Sequence, residues 1–395
     1  MKTTTKPNIK PGYKKTPIGI IPKDWEVKKI KDLSSRIGDG IHSTPEYTPD
    51  KEYYFINGNN LKNGKIVVDE NTKTVTEEES LKHKRELNNR TILMSINGTI
   101  GNLAFYTNEK VMLGKSACYL NVLDQVSLNY VYYQLGSRFV QTSFLKRLTG
   151  STIKNLGLNE IRKTKLPIPP LQEQKSIANC LSTWDSGIEK LTQLIQAKKQ
   201  QKKGLMQQLL TGKKRLAGFG GEWKEVNLEK IVSIKKGNTI TSSTAIDGDF
   251  KVIAGGKTSP YNHNEWNYEN VVTVSASGAY AGYVQYVEEK IWASDCSVIE
   301  PKKNKADIKY IYALLKLRQG KIYLQQSGGA QPHVYPQDLK KMSFMVPPIE
   351  EQTAIANILQ TADKEIELLE QKLSSFQQQK KGLMQVLLTG ERRLV

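Results

Sequence analysis

Apolar residues recur at alternating steps of four and three in two long segments of the chain. In the first segment they are Ile177, Leu181, Trp184, Ile188, Leu191 and Ile195. In the second they are Ile355, Leu359, Ala362, Ile366, Leu369, Leu373 and Phe376. This spacing is the a/d rhythm of a coiled coil, and a stripe this narrow favours packing against a partner helix. Packing of each helix on its own domain is the alternative.

Shorter apolar patterns predict mixed α/β domains beside the two long helices. Strand-like runs lead into turns rich in Ser and Gly at 92–106 and at 271–286. Helical patterns follow at 128–140 and at 308–320. A second Gly-containing turn then precedes each long helix.

The segment from Pro169 to Leu216 recurs without a gap from Pro347 to Leu394, 178 residues later. The similarity is strongest at its edges, where PPLQEQKSIANCL matches PPIEEQTAIANIL and QQKKGLMQQLLTG matches QQKKGLMQVLLTG. A repeat of this length indicates two homologous halves, and their openings near Trp25 and Trp223 also match. The predicted segments are a leader (1–23), a first globular domain (24–165), a first helical spacer (166–216), a second globular domain (217–343) and a second helical spacer (344–395).

We expect the two long helices to pair with each other. Each begins after a Pro-Pro pair and ends before Gly212 or Gly390, which gives a rod on the order of 60 Å long. Antiparallel pairing would hold one globular domain at each end of the rod. The predicted fold is therefore two tandemly duplicated α/β (mixed α+β) domains, separated by two long antiparallel coiled-coil helices and related by a pseudo-twofold axis. Such an object suits duplex DNA, which is itself locally twofold.

Charge points to the same class of partner. Lys and Arg number 58 against 39 Asp and Glu, so the formal net charge is +19 and the pI is near 9.5. This excess favours nucleic acid first and a membrane surface second. No run of about 18 apolar residues and no signal-peptide core is present, so we expect a cytoplasmic protein without membrane partners. Cys118, Cys180 and Cys296 are too few and too far apart for a disulfide framework, so we expect buried thiols.

The chain lacks the sequence patterns of the common catalytic sites. It has no GxxxxGK followed by Ser or Thr, no HExxH and no paired-cysteine metal spacing. The Pro-Pro pairs follow Ile168 and Val346, whereas an amino-methylating motif would carry Asn or Asp there. Glu288 and Lys290 have the spacing of a nuclease ExK element, but no convincing upstream Asp completes it. We therefore expect no catalytic and no metal-binding residues in this chain.

Polar residues in the Gly-containing turns are the candidates for DNA contacts, because base edges are read by polar groups on exposed loops. In the first half they are Ser95, Asn97, Gly98, Thr99, Gly150, Ser151, Thr152, Lys154 and Asn155. In the second half they are Ser275, Ser277, Gly278, Gly329, Gln331 and His333. A proline-stiffened loop at 38–49 adds His42, Ser43 and Thr44. Ordinary turn residues without a ligand are the alternative.

Together these features resemble the specificity subunits of type I restriction-modification systems over nearly the whole chain. The most specific signatures are PPLQEQ and KKGLMQQLLTG, both repeated, with the two Trp openings and DGIHSTP after the first. The resemblance implies two target recognition domains that each read one half of a split double-stranded DNA target, with the helices fixing the distance between them. Because the turns and opening loops differ between the halves, we expect an asymmetric target.

The resemblance also implies that catalysis belongs to partner proteins. It predicts two methyltransferase subunits that modify adenine with S-adenosylmethionine and two restriction or motor subunits that use ATP and Mg²⁺. No cofactor is expected on this chain. The helix ends at Gln172–Gln174 and Glu350–Gln352, with the two KKGLMQ segments, are the predicted docking surfaces for the methyltransferase. A coiled-coil scaffold that binds proteins and a stand-alone DNA-modifying enzyme are the alternative functions.

Overall fold

The computed structural model describes residues 9–150, 152 and 154–394. The chain divides into two units, and the division falls inside both long helices. The first unit comprises residues 1–190 and 373–395, and the second comprises residues 191–372. Each unit therefore contains one globular domain and one part of each long helix.

The first unit is built on a four-stranded antiparallel sheet. Its elements are β1 (Tyr13–Thr16), β2 (Gly19–Pro22), β3 (Glu26–Lys29), β4 (Ser34–Asp39), β5 (Tyr53–Ile56), β6 (Leu61–Lys62), β7 (Lys65–Ile66), β8 (Thr74–Val75), α1 (Glu77–Lys82), β9 (Thr91–Ser95), β10 (Leu103–Phe105), β11 (Val111–Leu113), β12 (Ala117–Val122), α2 (Leu128–Gly136), α3 (Arg138–Leu145), α4 (Leu158–Lys163), β13 (Lys165–Ile168) and α5 (Leu171–Leu209). The main sheet has the order β10-β9-β12-β4, and a second sheet has the order β11-β5-β8 with β11 parallel to β5. Strands β9 and β12 are buried along their whole length, as expected for the centre of a covered sheet.

The second unit repeats this architecture. Its elements are β14 (Lys224–Asn227), α6 (Leu228–Ile231), β15 (Val232–Lys236), β16 (Phe250–Ile253), β17 (Asn262–His263), β18 (Val271–Ser275), β19 (Val284–Val287), β20 (Ile291–Ala293), β21 (Cys296–Pro301), α7 (Ile308–Leu317), α8 (Gln319–Tyr323), α9 (Pro336–Lys340), β22 (Ser343–Val346) and α10 (Ile349–Leu387). The main sheet has the order β15-β21-β18-β19, and the second sheet has the order β17-β16-β20 with β16 parallel to β20. Mixed α/β domains, duplicated in tandem, are therefore confirmed.

The two long helices, α5 and α10, are each 39 residues long. In the first unit the rings of Trp184 and Phe376 meet edge to face with centroids 5.4 Å apart. In the second unit Lys198 pairs with Glu365 at 2.6 Å, and Lys202 pairs with Asp363. Residue numbers rise along one helix as they fall along the other, so the helix segments in each unit run antiparallel.

The heptad residues lie in two kinds of surroundings. Ile177 and Leu181 are fully buried in the main core of the first unit, together with Trp25 and Leu387. Ile355 and Leu359 belong to the corresponding core of the second unit. Leu191, Ile195 and Ile366 are also buried, whereas Trp184, Ile188, Leu369, Leu373 and Phe376 are half-buried. Both predicted packing modes of the apolar stripe therefore occur. Its outer turns pack on a globular domain, and its inner turns face the other long helix.

Residues that the sequence placed in a leader contribute to the first unit. Strands β1 and β2 form a hairpin, and Ile21 in β2 is 2% exposed. The Tyr13 hydroxyl donates a hydrogen bond of 2.8 Å to the Gly390 carbonyl just beyond α10. Gly390 has a φ of +73°, and a Cβ at this position would lie 2.4 Å from Cδ of Pro22. Glycine at the helix end is therefore required by both backbone conformation and packing.

Two of the three cysteines are buried, as predicted. Cys118 and Cys296 are buried, and burial raises the pKa of Cys296 to about 12. Cys180 is half-buried, which departs from the prediction of a buried thiol. Among the helices that the structure describes, none combines the length and apolar content that a bilayer span requires.

Candidate nucleic-acid interface

Two turns that lie more than fifty residues apart in the sequence meet in the first unit. Asn97 and Asn155 form a β-bridge, and the Gly98 N–H donates to the Lys154 carbonyl at 3.0 Å. Thr149 and Asn155 exchange two backbone hydrogen bonds of 2.9 Å, which closes the second turn on itself. We call residues 96–99 and 149–155 the first paired turns. The sequence named both turns as candidates, and the structure makes them one surface.

The second unit contains the same arrangement. Ser277 and His333 form a β-bridge, and the Gly278 N–H donates to the Pro332 carbonyl at 3.0 Å. Ser327 and His333 exchange backbone hydrogen bonds of 3.0 and 2.8 Å. We call residues 276–278 and 327–333 the second paired turns. The backbone frame is thus conserved between the units, while the side chains it carries are different.

Ser95 and Ser275 do not belong to the exposed part of these turns, so their prediction as base-contacting residues is corrected. They are 0% and 3% exposed and are the last residues of β9 and β18. The Ser95 hydroxyl accepts a hydrogen bond of 2.8 Å from the Asn102 N–H. The Ser275 hydroxyl lies 3.4 Å from the Ser277 carbonyl oxygen. Both hydroxyls satisfy backbone groups at the point where the strand becomes the turn.

The remaining candidates differ in exposure. In the first paired turns Gly98, Thr99, Gly150 and Lys154 are exposed, as is Thr152, while Asn97 and Asn155 are half-buried. Ser151 lies outside the described residues. In the second unit Gly329 and Gln331 are exposed, and Ser277, Gly278 and His333 are half-buried. Polar groups at an exposed tip are accessible to a ligand, and the half-buried polar groups border the tip.

Two side chains of the second paired turns have partners inside the unit. The Ser277 hydroxyl donates to the Asp295 carboxylate. The ring of His333 stacks on that of Tyr335, with centroids 6.0 Å apart and planes inclined by 14°. These contacts restrict the side-chain conformations before any ligand binds.

The opening loop of the first unit is anchored elsewhere. Ile41 forms a parallel bridge with Gly114 at the end of β11. His42, Ser43 and Thr44 follow and are exposed. The His42 Nε2 atom lies 2.9 Å from the Asp39 carboxylate, which orients the imidazole. This loop stays a separate candidate for DNA contact.

Sequence reasoning did not single out a cationic and aromatic cluster near the second paired turns. Lys257 Nζ lies 4.8 Å from the ring centroid of Tyr280 and 5.6 Å from that of Tyr283. Lys316 Nζ lies 4.4 Å from the same Tyr283 ring. Burial, then Lys257 and Lys202, lower the pKa of Lys316. An anion here would relieve the repulsion among these lysines. The sequence signal that could have indicated this cluster is the pair of tyrosines, Tyr280 and Tyr283, within SASGAYAGY.

The helix starts named as docking surfaces are partly occupied within the chain, so this prediction is corrected for two residues of each, while Gln172 and Glu350 are exposed and stay candidates. Glu173 and Gln174 are each 3% exposed, and Glu351 and Gln352 are 0% and 1% exposed. The Gln174 side-chain oxygen accepts a hydrogen bond of 2.9 Å from the Ser127 N–H at the start of α2. Gln352 accepts from the Asp307 N–H at the start of α7 in the same way. These glutamines fix each globular domain to its long helix.

The two buried glutamates hold a matching pair of arginines. Glu173 accepts hydrogen bonds from Arg393 at 2.7 Å and from the Trp25 Nε1–H at 3.0 Å. Arg393 also pairs with Asp24, and it holds the pKa of that carboxyl below its ordinary value. In the second unit Glu351 accepts from Arg215 and from the Trp223 Nε1–H. The Trp residue near the start of each half therefore donates a hydrogen bond to the buried carboxylate of its own unit.

Groups of three or more potential metal ligands are absent from the described part of the chain. Lys290, one half of the ExK element, lies with its Nζ 4.5 Å from the Trp266 ring centroid. Glu288 is exposed.

Comparison with known proteins gives a consistent picture. Residues 22–199 and 220–378 each match the family of the type I restriction modification DNA specificity domain. The chain is 28% identical to the type I restriction enzyme MjaX specificity subunit of Methanocaldococcus jannaschii, with 97% of each chain covered. It is 24% identical to the MjaVIII specificity subunit of the same organism, with 95% of this chain and 94% of the relative covered.

A solved structure shares the fold. The crystal structure of the type I restriction-modification system S subunit from M. genitalium superposes with a TM-score of 0.64. The two sequences are 22% identical, and the match covers 92% of this chain and 96% of the other.

Proposed function

Because the chain belongs to the type I restriction modification DNA specificity family, we propose that it reads a bipartite DNA sequence and performs no chemical step itself. The observation that carries this proposal is the repetition of the paired turns. One backbone frame appears in both units with Asn97, Lys154 and Asn155 in the first and with Ser277, Pro332 and His333 in the second. A common frame with unlike side chains is the arrangement that two different half-sites require.

Each part of the frame has a different role in binding. Amide, hydroxyl and imidazole groups at the tips can donate to and accept from base edges in the major groove. Lysines such as Lys154 and Lys257 contact phosphate and set the register without carrying sequence information. The net charge of +19 supplies the long-range attraction to DNA. Because the two tips differ, the proposed target is asymmetric.

The long helices are proposed to fix the gap between the half-sites. Their antiparallel contacts within each unit, including the Trp184–Phe376 pair, support a spacer of constant length. The partners are two methyltransferase subunits, which modify adenine with S-adenosylmethionine, and two restriction or motor subunits, which use ATP and Mg²⁺. This chain binds none of these cofactors, and the complex acts in the cytoplasm.

Part of the docking surface proposed for the methyltransferase stays available. In the two KKGLMQ segments Lys202 and Lys380 form ion pairs with Asp363 and Asp185 inside the chain. Lys203 and Lys381, one position later in each repeat, are exposed. The outward side of each segment, with the exposed helix-start residues Gln172 and Glu350, is therefore the proposed contact.

The test is to produce the chain together with a methyltransferase subunit and to map methylated adenines across a genome. We expect a motif of two short parts separated by a gap of constant length. Methylation at adenines irrespective of sequence would refute the reading role. A soluble complex that methylates no site, and that forms equally well without DNA and at high salt, would favour a protein scaffold. Turnover of DNA by the isolated chain would favour an enzyme.

A further inference from the structure

The two units differ in the length of the segment that connects one pair of corresponding strands. In the first unit the segment between β5 and β8 runs from residue 57 to 73 and contains the β6–β7 hairpin. In the second unit the corresponding segment between β16 and β17 runs from residue 254 to 261. It is nine residues shorter, and it contains no strand.

The additional hairpin of the first unit covers Tyr132 on α2. A Cβ on Gly64, at the hairpin turn, would lie 3.1 Å from the Tyr132 hydroxyl, so glycine allows the turn to approach the ring closely. The ring also stacks on Phe105 with centroids 4.4 Å apart. Next to Gly64, Lys65 forms an ion pair of 2.5 Å with Glu189 on α5. In this turn, Gly64 therefore packs on the Tyr132 ring and Lys65 pairs with the Glu189 carboxylate.

The neighbouring residue Tyr133 fills the space between α2 and the long helices. Its hydroxyl donates a hydrogen bond of 2.7 Å to the Asp185 carboxylate. Lys380 lies with its Nζ 5.3 Å from the ring centroid and pairs with the same carboxylate. Burial, followed by the bond to Asp185, raises the pKa of Tyr133.

The second unit has the residues that surround this site, but it lacks the hairpin and the second tyrosine that fill the site in the first unit. Tyr312 corresponds to Tyr132, Asp363 to Asp185 and Glu367 to Glu189, whereas Ala313 replaces Tyr133. Lys202 and Asp363 form the same ion pair as Lys380 and Asp185. With no hairpin and no tyrosine, a cleft of about 560 Å³ remains. Its lining includes Tyr286, Tyr312, Ala313, Asp363 and Glu367.

The cleft offers an aromatic floor and a rim of mixed charge, with the carboxylates of Glu288, Asp363, Glu367 and Glu370 and the ammonium groups of Lys202, Lys309, Lys316 and Lys364. Tyr286 and Tyr312 lie with ring centroids 6.0 Å apart, wider than the pair in the first unit. Burial raises the pKa of Tyr312, and Asp363 adds to the shift, so the phenol stays protonated and able to donate. The Glu367 side chain is 54% exposed on α10 and its described ion pair is with Lys364 on the same helix.

We propose that this cleft receives a β-turn of a partner protein, carrying adjacent glycine and lysine, in the way that Gly64 and Lys65 cover the equivalent site in the first unit. The glycine would lie against the Tyr312 ring and the lysine would pair with Glu367. The missing volume beside Ala313 would accept a large side chain of the same partner. The proposal rests on the proposed function in one respect, because it assigns the turn to the methyltransferase subunit.

The variant that tests the site is Ala313→Tyr, because it gives the second unit the residue that the first unit carries. Its hydroxyl has Asp363 as a partner, so folding is expected to be preserved. Ala197→Tyr, an exposed position on α5, is the matched control. Glu367→Lys separately tests the carboxylate that is equivalent to Glu189. All variants are made in the full chain and compared for thermal unfolding, DNA affinity and methyltransferase binding.

We expect Ala313→Tyr and Glu367→Lys each to weaken methyltransferase binding by about tenfold, the effect of a buried interface residue. Ala197→Tyr should leave it unchanged, and DNA affinity should be unchanged in all three. Methyltransferase binding that is equal in all variants would overturn the proposal while leaving the proposed function intact. A loss of DNA affinity with normal assembly would assign the cleft to DNA and would also overturn it.

A second probe is independent of assembly. A fluorescent cyclic peptide with the sequence of residues 60–67, NLKNGKIV, reproduces the covering turn. It should bind the wild-type chain saturably and fail to bind Ala313→Tyr. Equal binding to both chains would overturn the turn as the occupant. Failure of the wild-type chain to bind any methyltransferase, with normal peptide binding, would overturn the proposed function and the methyltransferase as the source of the turn, and would support only a Gly-Lys turn as the occupant of the cleft.

Discussion

The ion pair between Arg393 and Glu173 allows a quantitative test of how the C-terminal segment is held in the first unit. Glu173 is 3% exposed and accepts hydrogen bonds from both Arg393 and Trp25. Replacing Arg393 by Met keeps most of the aliphatic stem and removes the charge and its donors. The buried carboxylate is then left with one neutral donor, the indole N–H.

The expected loss follows from burial. Removing one partner of a fully buried ion pair costs about 3 to 5 kcal/mol. Arg393 has 27% of its side chain exposed, and Trp25 remains as a donor, so the expected loss of unfolding free energy falls to about 2 kcal/mol. For a unit of about 200 residues this lowers Tm by about 4 to 8 °C.

The assay is thermal unfolding of the full chain by calorimetry, with Arg392→Met as the matched control. Arg392 is the preceding residue, is exposed and undergoes the same chemical change. The pH dependence provides a second readout. Arg393 holds the pKa of Asp24 below its ordinary value of 3.8, so this stabilisation is present above pH 3.8 and is lost as pH falls through the lowered pKa. The difference in Tm between wild type and Arg393→Met should therefore narrow below about pH 4.

Two results would refute this reasoning. Equal changes of Tm for Arg393→Met and Arg392→Met would mean that the buried carboxylate does not depend on its cation. A difference between wild type and Arg393→Met that is constant from neutral to acidic pH would mean that the carboxylates contribute nothing through their charge.

Three further outcomes are expected. Asn155→Ala should alter only one part of the methylated motif and His333→Ala only the other, as mapped by genome-wide methylation; loss of both parts in either variant would contradict independent half-site reading. Lys257→Ala should weaken binding to all DNA sequences about equally and reduce the log–log salt slope by about 0.9, measured by fluorescence anisotropy in a salt series; a change confined to one sequence would contradict a phosphate contact. Insertion of four residues before KKGLMQ in α5 should change the gap of the methylated motif or prevent assembly, and an unchanged gap would contradict the spacer.

Local sequence signals predicted the helices well. Pro-Pro at the start and glycine at the end are local requirements of backbone geometry, and α5 and α10 begin and end within a few residues of them. The strand runs at 92–106 and 271–286 were equally clear, because a buried central strand needs a continuous apolar run.

Non-local features escaped prediction for a physical reason. Nothing in residues 96–99 specifies that their backbone pairs with residues 149–155, because hydrogen bonds between main chains leave no pattern in side-chain type. Ser95 was read as a turn hydroxyl, yet its burial depends on the neighbouring Asn102 N–H. Glu173 was predicted as part of a docking surface, whereas the distant Arg393 and Trp25 supply the hydrogen bonds that stabilise its buried carboxylate.

The proposed role of the paired turns has a consequence for how new specificities arise. They are joined by main-chain hydrogen bonds, such as Gly98 to Lys154 in one unit and Gly278 to Pro332 in the other. A mutation that exchanges an exposed tip side chain, such as Gln331, leaves those bonds in place, so at such positions the proposed target choice is separated from folding. Most substitutions elsewhere in a protein must first survive their effect on stability. At the exposed tip positions, the proposed base-reading role would let natural selection change the target at little cost in stability, and at each tip independently of the other.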